Sequence, residues 1–161
     1  MNNSSYEETG VLTPELLKLP SKERLERGPV VIIECVQSIP CDPCVYACKY
    51  GAIEKESLTA PPKVNYEKCV GCGECISECP GLAIFVVNMN FSWDEATITI
   101  PYEFLPLPKR GEIYEALDRE GKVVGQARVV AVRLKENKTH LVTIAVKKSL
   151  AMVVRNIGRR L

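Results

Sequence analysis

The chain has 161 residues, of which 46% are hydrophobic and 25% charged, with a net charge of +1. That length suits one medium domain or two small ones, and the composition excludes bulk disorder and collagen-like repeats. No apolar run approaches the roughly 18 residues of a membrane-spanning helix. The polar N-terminus lacks the pattern of a signal or transit peptide, so a cytoplasmic location is expected.

Residues 1–28 read as an N-terminal arm with short helices. Thr13 is placed as an N-cap before Pro14, and Ser21 as the cap of a second helix ending at Gly28-Pro29. Val30 to Ile33 is a β-branched run that predicts a strand. All eight cysteines follow, between Cys35 and Cys79. Disulfides are rare in a reducing cytosol, so crowded thiols there point to metal.

The cysteines show a weak internal repeat of about 31 residues. Cys41-x-x-Cys44-x-x-x-Cys48 before Gly51-Ala52-Ile53 parallels Cys72-x-x-Cys75-x-x-x-Cys79 before Gly81-Leu82-Ala83-Ile84. Lys63 to Tyr66 predicts a short strand between the two halves.

After Ile84 the pattern changes to alternation, with Val87, Met89 and Phe91 on one face. Further strands are expected at Thr97–Ile100, Ile113–Leu117, Val123–Leu134 and Thr139–Val146. The prolines at 101, 106 and 108 put the first of these at an edge or bend, and Asp118 to Gly121 forms a hairpin turn. This spacing predicts a small antiparallel β-barrel over 86–146. Residues 147–161, with five basic and no acidic side chains, read as a basic amphipathic C-terminal helix.

The second cysteine run, Cys69-x-x-Cys72-x-x-Cys75-x-x-x-Cys79-Pro80, has the full spacing of a bacterial four-iron site. Three thiolates three positions apart reach three corners of one cubane, and the fourth points to a second cluster. The first run is Cys35-x5-Cys41-x-x-Cys44-x-x-x-Cys48. Its first cysteine is displaced, and Lys49 stands where proline is usual. Zinc in two four-cysteine sites, a three-iron cluster lacking Cys35, and a disulfide framework are the competing readings of these residues. A Rieske centre needs two histidines, and His140 is the only one.

Residues 29–85 resemble bacterial-type two-cluster ferredoxins. The resemblance implies two [4Fe–4S] clusters, one held by Cys35, Cys41, Cys44 and Cys79, the other by Cys69, Cys72, Cys75 and Cys48. The fold expected is α+β: the arm (1–28), a ferredoxin-like two-cluster domain with pseudo-twofold symmetry (29–85), the barrel (86–146) and the helix (147–161). More loosely, Ile39 to Cys44 and Leu117 to Gly125 resemble small ferredoxin-like subunits of FAD-dependent amino-acid dehydrogenases, relatives of proline dehydrogenase, sarcosine oxidase and hydrogen-cyanide synthase complexes.

No P-loop, dinucleotide fingerprint, catalytic triad or paired-acid motif appears. His140 reads as structural, Trp93 and Tyr114 as core or rim, and Lys109-Arg110 as a solvated loop. With eight basic and eight acidic residues over 81–146, nucleic-acid binding is not expected. The chain therefore reads as a non-catalytic electron-transfer subunit of a hetero-oligomeric oxidoreductase, docked through its basic tail, the looser resemblance implying a flavin-bearing partner. The alternatives are a free-standing ferredoxin shuttle and a non-redox binding module.

Overall fold

The computed structural model describes residues 4–161; the first three residues of the arm lie outside the described residues. The arm contains α1 (Ser4–Thr9), a 3-10 turn at Pro14–Leu16 behind Thr13, and α2 (Lys22–Glu26). The Ser21 hydroxyl accepts the Arg24 N–H at 3.2 Å, capping α2. Helices this short need tertiary support. Arg24 supplies it for α2, because its buried guanidinium donates to carbonyls on both sides of the junction between arm and cysteine region.

Two similar halves follow. The first comprises β1 (Val30–Ile33), α3 (Pro43–Ala47) and β2 (Ile53–Glu54); the second β3 (Lys63–Val64), α4 (Glu74–Glu78) and β4 (Ile84–Asn88). A shift of 31 residues carries Pro43–Ala47 onto Glu74–Glu78 and Cys48 onto Cys79, each cysteine capping its helix. The same shift carries Gly51 onto Leu82, and both adopt the left-handed conformation, with φ of 60° and 52°. The halves exchange strands: β1 pairs antiparallel with β4, and β2 with β3. Neither half completes a sheet alone.

The chain then adds β5 (Glu95–Tyr102), β6 (Ile113–Leu117), β7 (Val123–Arg133), β8 (His140–Lys147) and β9 (Asn156–Arg160). These join β1 and β4 in one antiparallel sheet of order β1-β4-β5-β8-β7-β6-β9. In the described pairings it runs from β1 to β9 without closing into a barrel. The expected boundary at 85/86 falls inside β4, which is buried on both faces. Its alternation decides what each face covers. Ile84 and Val86 pack with Val31 and Leu141 against the cysteine-bearing lobes, whereas Phe85 and Val87 join Ile32, Ile98 and Ile144 in the larger core. One sheet thus serves two cores. Pro101 belongs to an internal strand, but β4 reaches only Thr97–Thr99, so Pro101 pairs with β8 alone and needs no second hydrogen-bonding neighbour.

The expected C-terminal helix is replaced by a 3-10 turn, Lys148–Leu150, and by β9. Helical spacing holds only through Ala151 and Val154, both buried. Beyond them the chain covers the open edge of β6, which would otherwise expose unpaired backbone groups. Gly158, inside the expected helix, is where this edge comes close: a Cβ there would lie 3.1 Å from Leu117. Of the tail's cations, Arg159 pairs with Glu115 at 3.2 Å and Arg160 with Glu112 at 2.9 Å.

Arg155 and Arg119 both close on Glu34, at 2.6 Å each. Arg155 also donates to the Ala151 and Val154 carbonyls and lies 5.1 Å over the Phe85 ring. This clamp ties the residue before Cys35 to the hairpin turn and to the tail. Burial pushes the Glu34 carboxyl up, but hydrogen bonds and charge from the two arginines outweigh it and hold the group below the usual carboxylate range.

Glu34→Gln leaves the buried Arg155 and the partly buried Arg119 without their anion and is expected to cost about 3–5 kcal/mol in thermal or urea unfolding. Because the folded value is depressed, the Glu34 contribution is present above the unfolded value of about 4.3 and is lost as pH falls through the folded value. The variant should lack that acid-dependent component. A second comparison tests the junction with the arm. Gly71 has φ of 68°, and a Cβ on it would lie 2.6 Å from the backbone carbon of Pro29, whereas Gly51 has φ of 60° and open space around it. Gly51→Ala should cost about 1–2 kcal/mol for the backbone alone, and Gly71→Ala about 1–3 kcal/mol more for the clash. Equal melting shifts in the two variants would contradict this packing.

Candidate metal centre

Cys44 lies within α3 and Cys48 at its end; Cys75 and Cys79 stand likewise on α4. The third and fourth cysteines of each run are four positions apart, about 6 Å along a helix axis, and the fourth stands at the helix end in extended conformation. Cys44 is electrostatically coupled to Cys79, Cys41 and Cys35, and Cys75 to Cys72, Cys69 and Cys48. The eight thiols therefore stand in two groups of four, each with one member from the other half. Cys48, Cys69, Cys72 and Cys75 also line a single cavity walled by Ile53 and Val86. Cys35 follows the end of β1 by two residues and is coupled to Cys79 and Cys41 despite its displaced spacing.

The chemistry of these groups follows from burial and charge. Burial, then the negative charge of Cys79, Cys41 and Cys35, pushes the Cys44 thiol up to about 11. Burial, then Cys72, Cys69 and Cys48, pushes Cys75 up to about 12. Thiols grouped around so desolvated a member as Cys44 or Cys75 need a cationic centre to ionise together. Two backbone donors face sulfur at repeat-related places: Ala52 N–H to Cys48 Sγ at 3.3 Å, and Ala83 N–H to Cys79 Sγ at 3.5 Å. Apolar walls, thiols in fours and amide N–H groups aimed at sulfur fit an iron–sulfur cluster. A tetrahedral zinc ion would draw its sulfurs to about 2.3 Å from one point. Among the described residues no three His, Cys, Asp or Glu side chains converge tightly enough to hold a single ion.

Three cations bond to the carbonyls of these cysteines, and sequence reading singled out none of them. Arg24 donates to Cys69 O at 2.6 Å and Arg133 to Cys72 O at 2.7 Å, while the Lys55 ammonium donates to Cys41 O and, at 2.8 Å, to Leu58 O. Lys55 had one readable signal: it stands 31 residues before Val86, a cation against an apolar residue. Arg24 and Arg133 come from the arm and from β7, far along the chain.

The remaining candidates lie away from the cysteines' inner faces. His140 is buried, and its Nδ1 accepts the Lys135 N–H at 2.9 Å, a structural role. The Tyr114 ring is buried with its hydroxyl on Glu112, whereas Trp93 is 88% exposed. Lys109 and Arg110 are exposed. Cys72 alone among the eight cysteines is exposed.

Residues 62–85 match the family model of the 4Fe-4S binding domain. The chain is 40% identical over 77 residues to an aliphatic sulfonate oxidoreductase, polyferredoxin-like subunit, of Pyrococcus furiosus, covering 48% of this chain and 43% of that one. It is 44% identical over 46 residues to pyruvate synthase subunit PorD of Methanothermobacter marburgensis, covering 29% and 51%. It is 42% identical over 41 residues to the beta subunit of a dissimilatory-type sulfite reductase of Archaeoglobus fulgidus, covering 26% and 11%. The chain thus spans about half the length, or less, of these curated relatives. No solved structure matches it. Family match, relatives and the chemistry of the thiol groups agree that the chain carries a ferredoxin-type domain of the 4Fe-4S class.

Proposed function

We propose that this chain is the electron-transfer subunit of a larger oxidoreductase and relays single electrons through two [4Fe–4S] clusters. Cys35, Cys41, Cys44 and Cys79 hold one; Cys48, Cys69, Cys72 and Cys75 hold the other. The observation that carries this reading is the cavity lined together by Cys48, Cys69, Cys72 and Cys75, in which Cys48 comes from the opposite half; the charges of Cys79, Cys41 and Cys35 acting on Cys44 support the matching arrangement for the other four. With four cysteines apiece, neither group leaves an iron position for substrate. Each cluster supplies a one-electron couple, and the chain's own residues do the rest. Ile53, Val86 and Leu141 keep water away from the inner faces. The amides of Ala52 and Ala83 favour negative charge on sulfur. The exchange of strands between halves holds the two groups close together.

The names of the relatives support the rest: two are subunits of an oxidoreductase and a reductase, and one of a synthase. The partner is accordingly a larger oxidoreductase subunit in a hetero-oligomer. Flavin in that partner is the finer form of the reading and rests on the looser resemblance of Ile39–Cys44 and Leu117–Gly125.

Protein purified without oxygen should contain about eight irons and eight sulfides. About four irons, or stoichiometric zinc, would reject the two-cluster reading. Cys35→Ala should abolish one cluster's spectrum and spare the other, and two intact clusters in that variant would remove Cys35 from the ligands. From its native source the chain should co-purify with a larger redox-active subunit. A monomer that carries both clusters and serves several unrelated reductases would replace the subunit reading with the free shuttle.

A further inference from the structure

Arg24 is 7% exposed, and its guanidinium is satisfied entirely by backbone carbonyls. Nε donates to Tyr66 O at 2.7 Å, Nη1 to Gly28 O at 3.3 Å, and Nη2 to Pro29 O at 3.1 Å and Cys69 O at 2.6 Å. Hydrogen bonding is complete, but charge is not balanced. Among the described residues no carboxylate lies within ion-pair distance of Arg24. Glu67, whose carboxyl feels its charge, is exposed and gripped by both Arg27 nitrogens. A buried cation without an anion is among the costliest arrangements in a protein interior. The other buried arginine, Arg155, has Glu34 as its anion.

The negative charge lies on the other side of the Cys69 peptide. Four thiolates gather there, and their charge exceeds that of the metal centre they hold. The other cation on this group, Arg133, is half-exposed and neutralised by Glu74 at 3.1 Å. Lys55 serves the opposite group through Cys41 O. Arg24 is therefore the one buried, unneutralised cation among the described residues beside Cys48, Cys69, Cys72 and Cys75. It also joins two segments that meet closely, since Pro29 presses on Gly71 in the loop between Cys69 and Cys72.

We infer that Arg24 is the counter-charge of the Cys48, Cys69, Cys72 and Cys75 group, a positioning residue through which the N-terminal arm raises the reduction potential of that group and not of the other. The inference rests on the two-cluster reading above. The arm is then an electrostatic part of the redox site. A guanidinium suits the place because its planar fork reaches four carbonyls while keeping its charge.

The test is an anaerobic potentiometric titration of the cluster-loaded full chain, followed by electron paramagnetic resonance, with iron counted in every sample. The cluster belonging to this group is identified by the altered spectrum of Cys72→Ser. Arg24→Met should lower that cluster's midpoint by about 59 mV, a tenfold change in its oxidised-to-reduced ratio for one electron, and leave the other in place. Arg24→Lys, which keeps the charge and loses the fork, should retain most of the wild-type midpoint. If Arg24→Met fails to hold iron, Arg24→Gln, which removes the charge and keeps a hydrogen-bond donor, decides the matter by the same fall in that cluster's midpoint. Unchanged midpoints in Arg24→Met, equal shifts of both clusters, or a fall in Arg24→Lys as large as in Arg24→Met would overturn the inference. A wild-type chain with one cluster would instead overturn the reading beneath it.

Discussion

The structure depends on one electrostatic constraint: thiols gathered in fours around a buried member, Cys44 or Cys75, cannot ionise together without a cation among them. Burial and mutual repulsion push Cys44 up to about 11 and Cys75 up to about 12. A metal centre reverses that balance, because it exchanges repulsion between sulfurs for attraction to iron. The same constraint accounts for the neighbours of the thiols. Amide N–H groups of Ala52 and Ala83 face sulfur, and Lys55, Arg24 and Arg133 are held on the carbonyls of Cys41, Cys69 and Cys72. Each places positive charge where a loaded site is negative.

Geometry follows from the repeat. Helices α3 and α4 are one turn and a half long, and the cysteine inside each stands with a different group from the cysteine capping it. Exchange of strands between the halves brings those capping cysteines across. The two groups are thereby linked: a displacement of either helix moves ligands of both. The displaced Cys35 is the exception in spacing, and Glu34 before it is anchored by Arg119 and Arg155. That clamp fixes the chain direction at the point where the repeat is broken.

The segments outside the repeat are not a separate module beside it. β4 is buried on both faces, with one face supporting the cysteine lobes and the other the larger core. The arm reaches the cysteine loops through Arg24, β7 reaches them through Arg133, and the tail reaches the start of the first run through Arg155. The extra chain thus supports the cysteine-bearing lobes from three directions, and Arg155, Arg159 and Arg160 of its basic tail pair with Glu34, Glu115 and Glu112.

Cysteine spacing, the 31-residue repeat, the β-branched run at Val30–Ile33 and the later strands were readable because each is a local pattern with a local cause, whereas the alternation through Met89 and Phe91 runs past the end of β4 at Asn88 into a turn. The chemistry of the thiols and most of the strands follow from them. The tail was misread for a related reason: Ala151 and Val154 keep helical spacing, but the preference of a short segment is weaker than the need to cover the open edge of β6. Arg24, Arg133 and the Glu34 clamp left no local pattern at all. The bonds that join them to Cys69, Cys72 and Glu34 span 45, 61 and 121 residues, and only the packing of one sheet against two cores brings them into range. Charge compensation in a buried site is decided by distance in space, which spacing along the chain does not encode.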